Sequence, residues 1–547
     1  MLDLWYKNAV IYCLDVETFM DGNGDGCGDF RGLADRLDHI ERLGATCIWL
    51  LPFYPTPNRD NGYDITDFYG VDPRLGTLGD FVAFTRAAAD RGLRVLVDLV
   101  INHTSTDHPW FQSARSDPNS PYRDWYVWSK EKPENIHEGV IFPGVQDAIW
   151  DYDRKAKAWY LHRFYDHQAD LNIANPEVRE EIDKIMGFWL QLGVSGFRLD
   201  AVPFVIEYLG LENPPDRAPE DYLSDIRRFM SWRKAESVLL AEANVSMKEI
   251  TDYFGVEGNR MHMVFNFMLN QYMFLAFVRH DAEPIRRIMD IMPDLPVEGQ
   301  WGSFLRNHDE LDLGRLSSHE RQEVYDAMAP DPGMIVYDRG IRRRLAPMLA
   351  NDQRRLKLAY ALMFALPGTP VLWYGEEIGM AEDLSLDERD SVRTPLQWSE
   401  RPNGGFSDAN PEDLVRPVLT AGPGAFDKVN VRAQAEDQDS LMNFIRRLIT
   451  ARRSAPEIGW GQWSVIEIDS RVLGLRVSWR GNEMLTFHNF ASEAVEIEIP
   501  ASPDSEDVCY AHHLEAANSA GNGLRPGDRL ELGPYGFAWL RPDRERR

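Results

Sequence analysis

The feature that most constrains this chain is a recurrence. Short runs rich in Val, Ile and Leu return along most of its length, and stretches with helical spacing separate them. They lie at Val10 to Val16, Cys47 to Pro52, Arg94 to Val100, Gly196 to Val202, Ser237 to Ala243, Met263 to Phe267, Gly302 to Asp309 and Thr369 to Gly375. Between the first two, Leu33, Leu37, Ile40 and Leu43 mark one helix face and Gly44 supplies its stop. Val178, Ile182, Ile185 and Trp189 mark another before the fourth. Eight buried strands alternating with helices predict an α/β chain folded as a closed (β/α)8 TIM barrel. On counting alone, an open doubly wound sheet accommodates them too.

Two connections exceed simple loops. Residues 104–172, rich in Trp and Pro, are expected to form a small domain inserted after the third strand. A second insertion runs from about 310 to 366, after the seventh. From about Gly459 the pattern becomes strand alternation (VLGLRVSW, MLTFHNF, AVEIEI), which predicts a C-terminal antiparallel β-sandwich over 459–547. The barrel then takes residues 1–103 and 173–458, and RERR at the end reads as a short solvated tail. A length of 547 residues has room for this division.

Charge narrows the partners. Asp and Glu exceed Lys and Arg to give a net charge of −28, which repels nucleic acid and anionic membrane alike. The four cysteines (Cys13, Cys27, Cys47, Cys509) form no CxxC pair, and neither a zinc site nor a disulfide framework is indicated. No apolar run approaches about 18 residues, and MLDLWYKNAV lacks a leader pattern. A soluble cytoplasmic protein is expected, and the sequence leaves a homo-oligomer open.

In such a barrel the chemistry sits where strands end. Asp98, Asn102 and His103 follow one another around the third strand's close, Arg198 and Asp200 end the fourth, Glu242 the fifth, and His308 and Asp309 the seventh. Arg198 and Asp200 are two apart and face the same way. A guanidinium beside a carboxylate lowers its pKa, so Asp200 reads as a nucleophile. Glu242 on the adjacent strand completes the carboxyl pair that retaining glycoside chemistry needs, and an ionised Asp309 would grip sugar hydroxyls. Any one of these could be a barrel-closing ion pair; the three together are the signal.

The Gly-rich stretch DGNGDGCGD offers oxygens from Asp21, Asn23, Asp25 and Asp29, with the Cys27 carbonyl between them. That suits a wrapped Ca2+. The twelfth position is Gly32, not Glu, so this is no EF-hand.

DLVINH, GFRLDAV, LLAEA and FLRNHD, in this order and spacing, resemble the signature segments of the α-amylase superfamily, glycoside hydrolase family 13, and QADLN resembles its fifth. The resemblance covers essentially the whole chain. It implies Asp200 as nucleophile, Glu242 as general acid/base and Asp309 as transition-state stabiliser, with Arg198, His103 and His308 holding the sugar. It further implies Tyr63 and Asp64 as binders of the nonreducing end, with Arg393 paired to Asp64 across the 4-hydroxyl to close a one-glucose pocket. A second structural calcium, at Asn102, Asp170 and Glu207 with the carbonyls of Phe204 and Val205, is implied as well, and no organic cofactor. GIRRRLAPMLAND, LPGTPVLWYGEEIGM and VRTPLQW resemble the trehalose synthase group. That implies small α-glucosides such as maltose and trehalose as substrates, interconverted by intramolecular transglucosylation. An exo-acting α-glucosidase and another α-glucosyltransferase are the alternatives; a silent carbohydrate-binding protein would not need the carboxylate set. Gly314 and the stretch after Glu207 depart from the group's pattern on the acceptor side.

Overall fold

All eight expected runs become strands of one closed parallel barrel in the computed structural model, which describes residues 4–503, 508–515 and 523–543. The first three residues and the RERR tail lie outside them. We number the barrel strands β1 (Ile11–Leu14), β2 (Cys47–Leu50), β3 (Arg94–Leu99), β4 (Gly196–Leu199), β5 (Val238–Ala241), β6 (Met263–Phe265), β7 (Gln300–Phe304) and β8 (Thr369–Trp373). Each pairs with its sequence neighbours, and β8 closes on β1. The open-sheet alternative is excluded. Trp49 on β2 and Phe265 on β6 meet inside, with ring centroids 5.5 Å apart, so the interior is packed and not a channel.

Local chemistry sets the helices between the strands. The helix Leu37–Leu43 stops at Gly44, whose φ of 96° belongs to the left-handed region open to glycine. The helix Pro176–Gln191 starts with Asn175, whose side chain accepts from the Glu177 amide, and buries Val178, Ile182, Ile185 and Trp189.

Each strand ends short of its apolar run, and one falls well short. β7 stops at Phe304, and residues 305–309 cross the barrel mouth as a loop. Side chains replace the ladder there: Asn270 donates to the carbonyls of Phe304 (2.7 Å) and Leu305 (3.1 Å), and Arg306 to those of Arg343 (2.7 Å) and Asp309 (2.6 Å).

Between β3 and β4 lie a two-stranded pairing of His103–Ser105 with Gln168–Asp170 and a three-stranded sheet of Trp128–Ser129, Trp150–Asp153 and Ala158–Leu161. Between β7 and β8, Leu311–Asp312, Ile335–Val336 and Gly340–Ile341 form another three-stranded sheet. The last part of that connection is a long helix, Gln353–Ala365, leading directly into β8. After the barrel a five-stranded antiparallel sheet and a two-stranded one share a core that includes Leu485, Phe487, Ile497 and Leu530. Among the described residues no helix is long and apolar enough to cross a membrane.

Candidate active site

One guanidinium organises the mouth of the barrel. Arg198, at the end of β4 and fully buried, lies 2.6 Å from Asp98 on β3 and 2.6 Å from Asp200, and its other terminal nitrogen grips Glu242 just past β5. The parallel register dictates this, because Asp98 and Leu240 are the cross-strand partners of Arg198. Backbone amides carry the pattern past the strand ends: Asp200 donates to Leu99 and Glu242 to Leu199. Ala201 then turns at φ 47°, a left-handed conformation costly for a residue with a Cβ, and its amide meets Glu242 at 3.1 Å.

Charges in this cluster oppose burial. Burial works against the Arg198 charge, but Asp98, Glu242, Tyr63 and Asp200 outweigh it and its pKa stands well above the ordinary value. Arg198 was expected to depress the Asp200 pKa; desolvation overrides it, and Asp200 is pushed up to about 6. Glu242, desolvated next to Asp200 and Asp309, is pushed further, to about 7. Between these values Asp200 is the ionised member and Glu242 the protonated one.

Asp309 behaves oppositely. Burial pushes it up, yet its surroundings hold it well below the usual carboxylate range. His308 lies 3.1 Å away but is itself kept neutral by burial, so the guanidiniums of Arg389 (2.8 Å) and Arg393 (3.0 Å) are the partners that hold the charge. The Tyr63 hydroxyl reaches His308 Nε2 at 2.8 Å, and His103 Nε2 lies 3.2 Å from the Tyr63 carbonyl. Burial lowers His103 to about 3, so this imidazole is neutral as well.

These groups line a cavity of about 490 Å³. Asp200, Glu242, Asp309, Tyr63 and His103 face it; Arg198 and His308 stand behind the carboxylates they touch. Asp64 and Arg393 do not meet. The Asp64 carboxylate turns into its own loop, accepting from Thr56 Oγ1 (2.8 Å) and the amides of Arg59 (3.1 Å) and Asp60 (3.2 Å). Arg393 is fully buried under His308 and Asp309. The pair on the cavity wall is instead Asp60 with Arg389, 2.8 Å apart, and Gln168 donates to Asp60 at 2.8 Å. Each sits four residues before the expected partner, so two identical residue types at one spacing concealed the choice. The apolar wall, Ile141, Phe142, Phe164 and Phe204, was also missed, since aromatic residues are common throughout this sequence. Arg339 ties that wall to the opposite one by donating to the Ile141 carbonyl at 2.5 Å while bonded to Glu310 (3.1 Å) and Asp312 (3.2 Å).

The family model for the α-amylase catalytic domain matches residues 13–329 and 338–461. The chain belongs to the α-amylase family. Within it, the chain is 46% identical over 551 residues to the trehalose synthase/amylase of Mycobacterium tuberculosis, covering 98% of this chain and 90% of the relative. It is 42% identical to the trehalose synthase of Thermus thermophilus, covering 98% of this chain and 55% of that protein. Among solved structures, the trehalulose synthase of Pseudomonas mesoacidophila superposes with a TM-score of 0.79 at 26% identity, over 98% of this chain and 99% of that one.

The loop between Asp21 and Asp29 in this α-amylase-family chain is wound by its own side chains. Asp21, Asn23 and Asp25 each accept from the backbone amide two residues on, at 3.0, 2.9 and 2.9 Å, while Asp29 caps the next helix through the Gly32 amide. Gly24 and Gly26 sit at φ 83° and 94°, conformations that permit the tight wrap. At the second expected position, Asn102, Asp170 and Glu207 line a cavity of about 20 Å³ together with Phe204. Asn102 bonds Asp170 at 3.2 Å, and Glu207 is held by Arg163. The backbone carbonyls of Cys27 and Val205 lie in these two segments. Among the described residues no three His, Cys, Asp or Glu side chains cluster closely enough to hold a metal by themselves, so either position depends on amide and carbonyl oxygens.

Proposed function

We propose that the protein interconverts maltose and trehalose by intramolecular transfer of a glucosyl unit. The observation that carries the reading is geometric: two carboxyl groups share Arg198 at the mouth of one cavity, Asp200 at 2.6 Å and Glu242 on the other terminal nitrogen, and burial raises both above the usual carboxylate range. Glu242 gives its proton to the glycosidic oxygen as Asp200 bonds to the anomeric carbon, and the bond to that oxygen breaks. The freed glucose turns within the cavity and attacks the glucosyl-enzyme through its 1-hydroxyl, returning the proton to Glu242 and releasing Asp200. Asp309, kept ionised by Arg389 and Arg393, binds the hydroxyls of the distorted sugar. Asp60 and Arg389 close the wall behind one glucose, which favours disaccharide over polymer.

Identity of 42–46% to trehalose synthases, against 28% to an oligo-1,6-glucosidase of Bacillus cereus, supports isomerisation over hydrolysis. Incubation with maltose tests it: trehalose should exceed glucose at early times, and trehalose should run back to maltose. Glucose without detectable trehalose would leave an α-glucosidase. We propose in addition that Ca2+ occupies the Asp21–Asp29 loop, where successive oxygens are already wound onto one turn, and the small cavity at Asn102, Asp170 and Glu207, as structural ions.

A further inference from the structure

On a chain carrying a net charge of −28, one cavity is arginine-rich. It measures about 400 Å³ and lies between the helix Leu37–Leu43, the segment after β8 and the helices Val431–Glu436 and Leu441–Arg453. Five arginines line it against a single acid, Asp38. Two of the five are already neutralised: Arg42 lies 3.3 Å from Asp38, and Arg432 bridges Glu400 (3.2 Å) and Glu436 (3.3 Å). The other three, Arg36, Arg401 and Arg446, make no ion pair among the described residues. Arg446 donates only to the Arg42 carbonyl (2.9 Å) and Asn443 Oδ1 (3.0 Å), and Arg36 lies over the face of Trp398, 4.7 Å from its centroid.

Comparison with another charged cavity sharpens the point. The cavity of about 310 Å³ around His167 also holds two arginines, Arg59 and Arg115, but each has a carboxylate at 2.5 Å, from Asp107 and Asp153. Its cations are satisfied internally. Three guanidiniums without a carboxylate partner among the described residues line one opening, and a planar fork of donors matches phosphate oxygens. The same lining holds Leu43, Val431, Met442 and Trp398, apolar surface that suits a ring-bearing body and not a bare ion.

We propose that this cavity binds a phosphorylated small metabolite, a ring-bearing phosphomonoester, through Arg36, Arg401 and Arg446. The volume is in the range of small-molecule sites. The test is calorimetric titration of the full chain at fixed ionic strength with glucose 6-phosphate, inorganic phosphate and sulfate as probes. Glucose 6-phosphate should saturate and bind at least about tenfold more tightly than either inorganic ion. Arg401→Gln should weaken it about tenfold, as expected for one lost charge-assisted contact, and adding Arg446→Gln should abolish it. Arg401 makes no side-chain bond among the described residues, so the single variant should melt as the parent does even if the double variant does not fold. No saturable heat up to about 10 mM, equal affinity for all three probes, or binding undiminished in Arg401→Gln would each overturn the proposal.

Discussion

The shared hold of Arg198 on two carboxyl groups makes the pH profile a direct reading of the site. Productive enzyme needs Asp200 ionised and Glu242 protonated, and their pKa values of about 6 and about 7 leave a narrow window. Activity is lost as pH falls through the lower value, where Asp200 gains a proton, and as pH rises through the upper one, where Glu242 loses its own. The competent form is most populated between the two values, and its share falls roughly tenfold for each pH unit beyond either limb. Because the two groups interact, the limbs belong to the pair, and substitution assigns them. Glu242→Gln should lower kcat/KM on maltose by about 10² to 10⁴, but much less on an aryl α-glucoside whose leaving group needs no proton. On that substrate the alkaline limb should vanish while the acid limb stays near 6, since Gln still presents a donor toward Asp200. The assay is initial rate against pH for parent and variant on both substrates. An alkaline limb that persists near 7 in Glu242→Gln, or a parental kcat/KM flat from about pH 5 to 9, would refute the assignment.

Other outcomes follow from the same geometry. Asp200→Asn should leave less than about a hundredth of the activity on every α-glucoside with the melting temperature little changed, checked by maltose turnover and thermal unfolding. Arg389→Met strands Asp60 and removes one of two guanidiniums from Asp309; kcat/KM on maltose should fall by at least about a hundredfold, near 3 kcal/mol. Asp64→Asn, by contrast, should show mainly in thermal unfolding, because that carboxylate serves its own loop. Chelator treatment should lower the melting temperature by a few degrees, and Asp21→Ala with Asp25→Ala should remove part of that response; identical melting with and without Ca2+ would exclude a bound ion.

Much of this arrangement was legible because barrel strands are both apolar runs and addresses: a polar residue closing such a run had to face the mouth. Arg198, Asp200 and Glu242 follow that rule. Asp309 was found despite breaking it, since β7 ends five residues earlier and the loop is propped by Asn270 and Arg306, which no strand pattern announces. Asp64 was expected at the pocket wall, and the loop geometry places Asp60 there instead. The turn that brings the Tyr63 amide to the Asp60 carbonyl leaves Asp64 nearest the amides of residues 59 and 60. The direction of the Asp200 shift failed for another reason: proximity to Arg198 is visible in sequence, whereas the cost of desolvation depends on everything packed around it.

Arg339 joins two pieces of chain nearly two hundred positions apart, and the bond to Ile141 has a practical meaning for anyone recombining such enzymes. Exchange of the segment between β3 and β4 alone, or of the one between β7 and β8 alone, would pair a foreign carbonyl with a native guanidinium or the reverse. Grafted together, the two insertions would keep the Arg339 bond to Ile141 and its ties to Glu310 and Asp312 intact; grafted singly, either would break that seam.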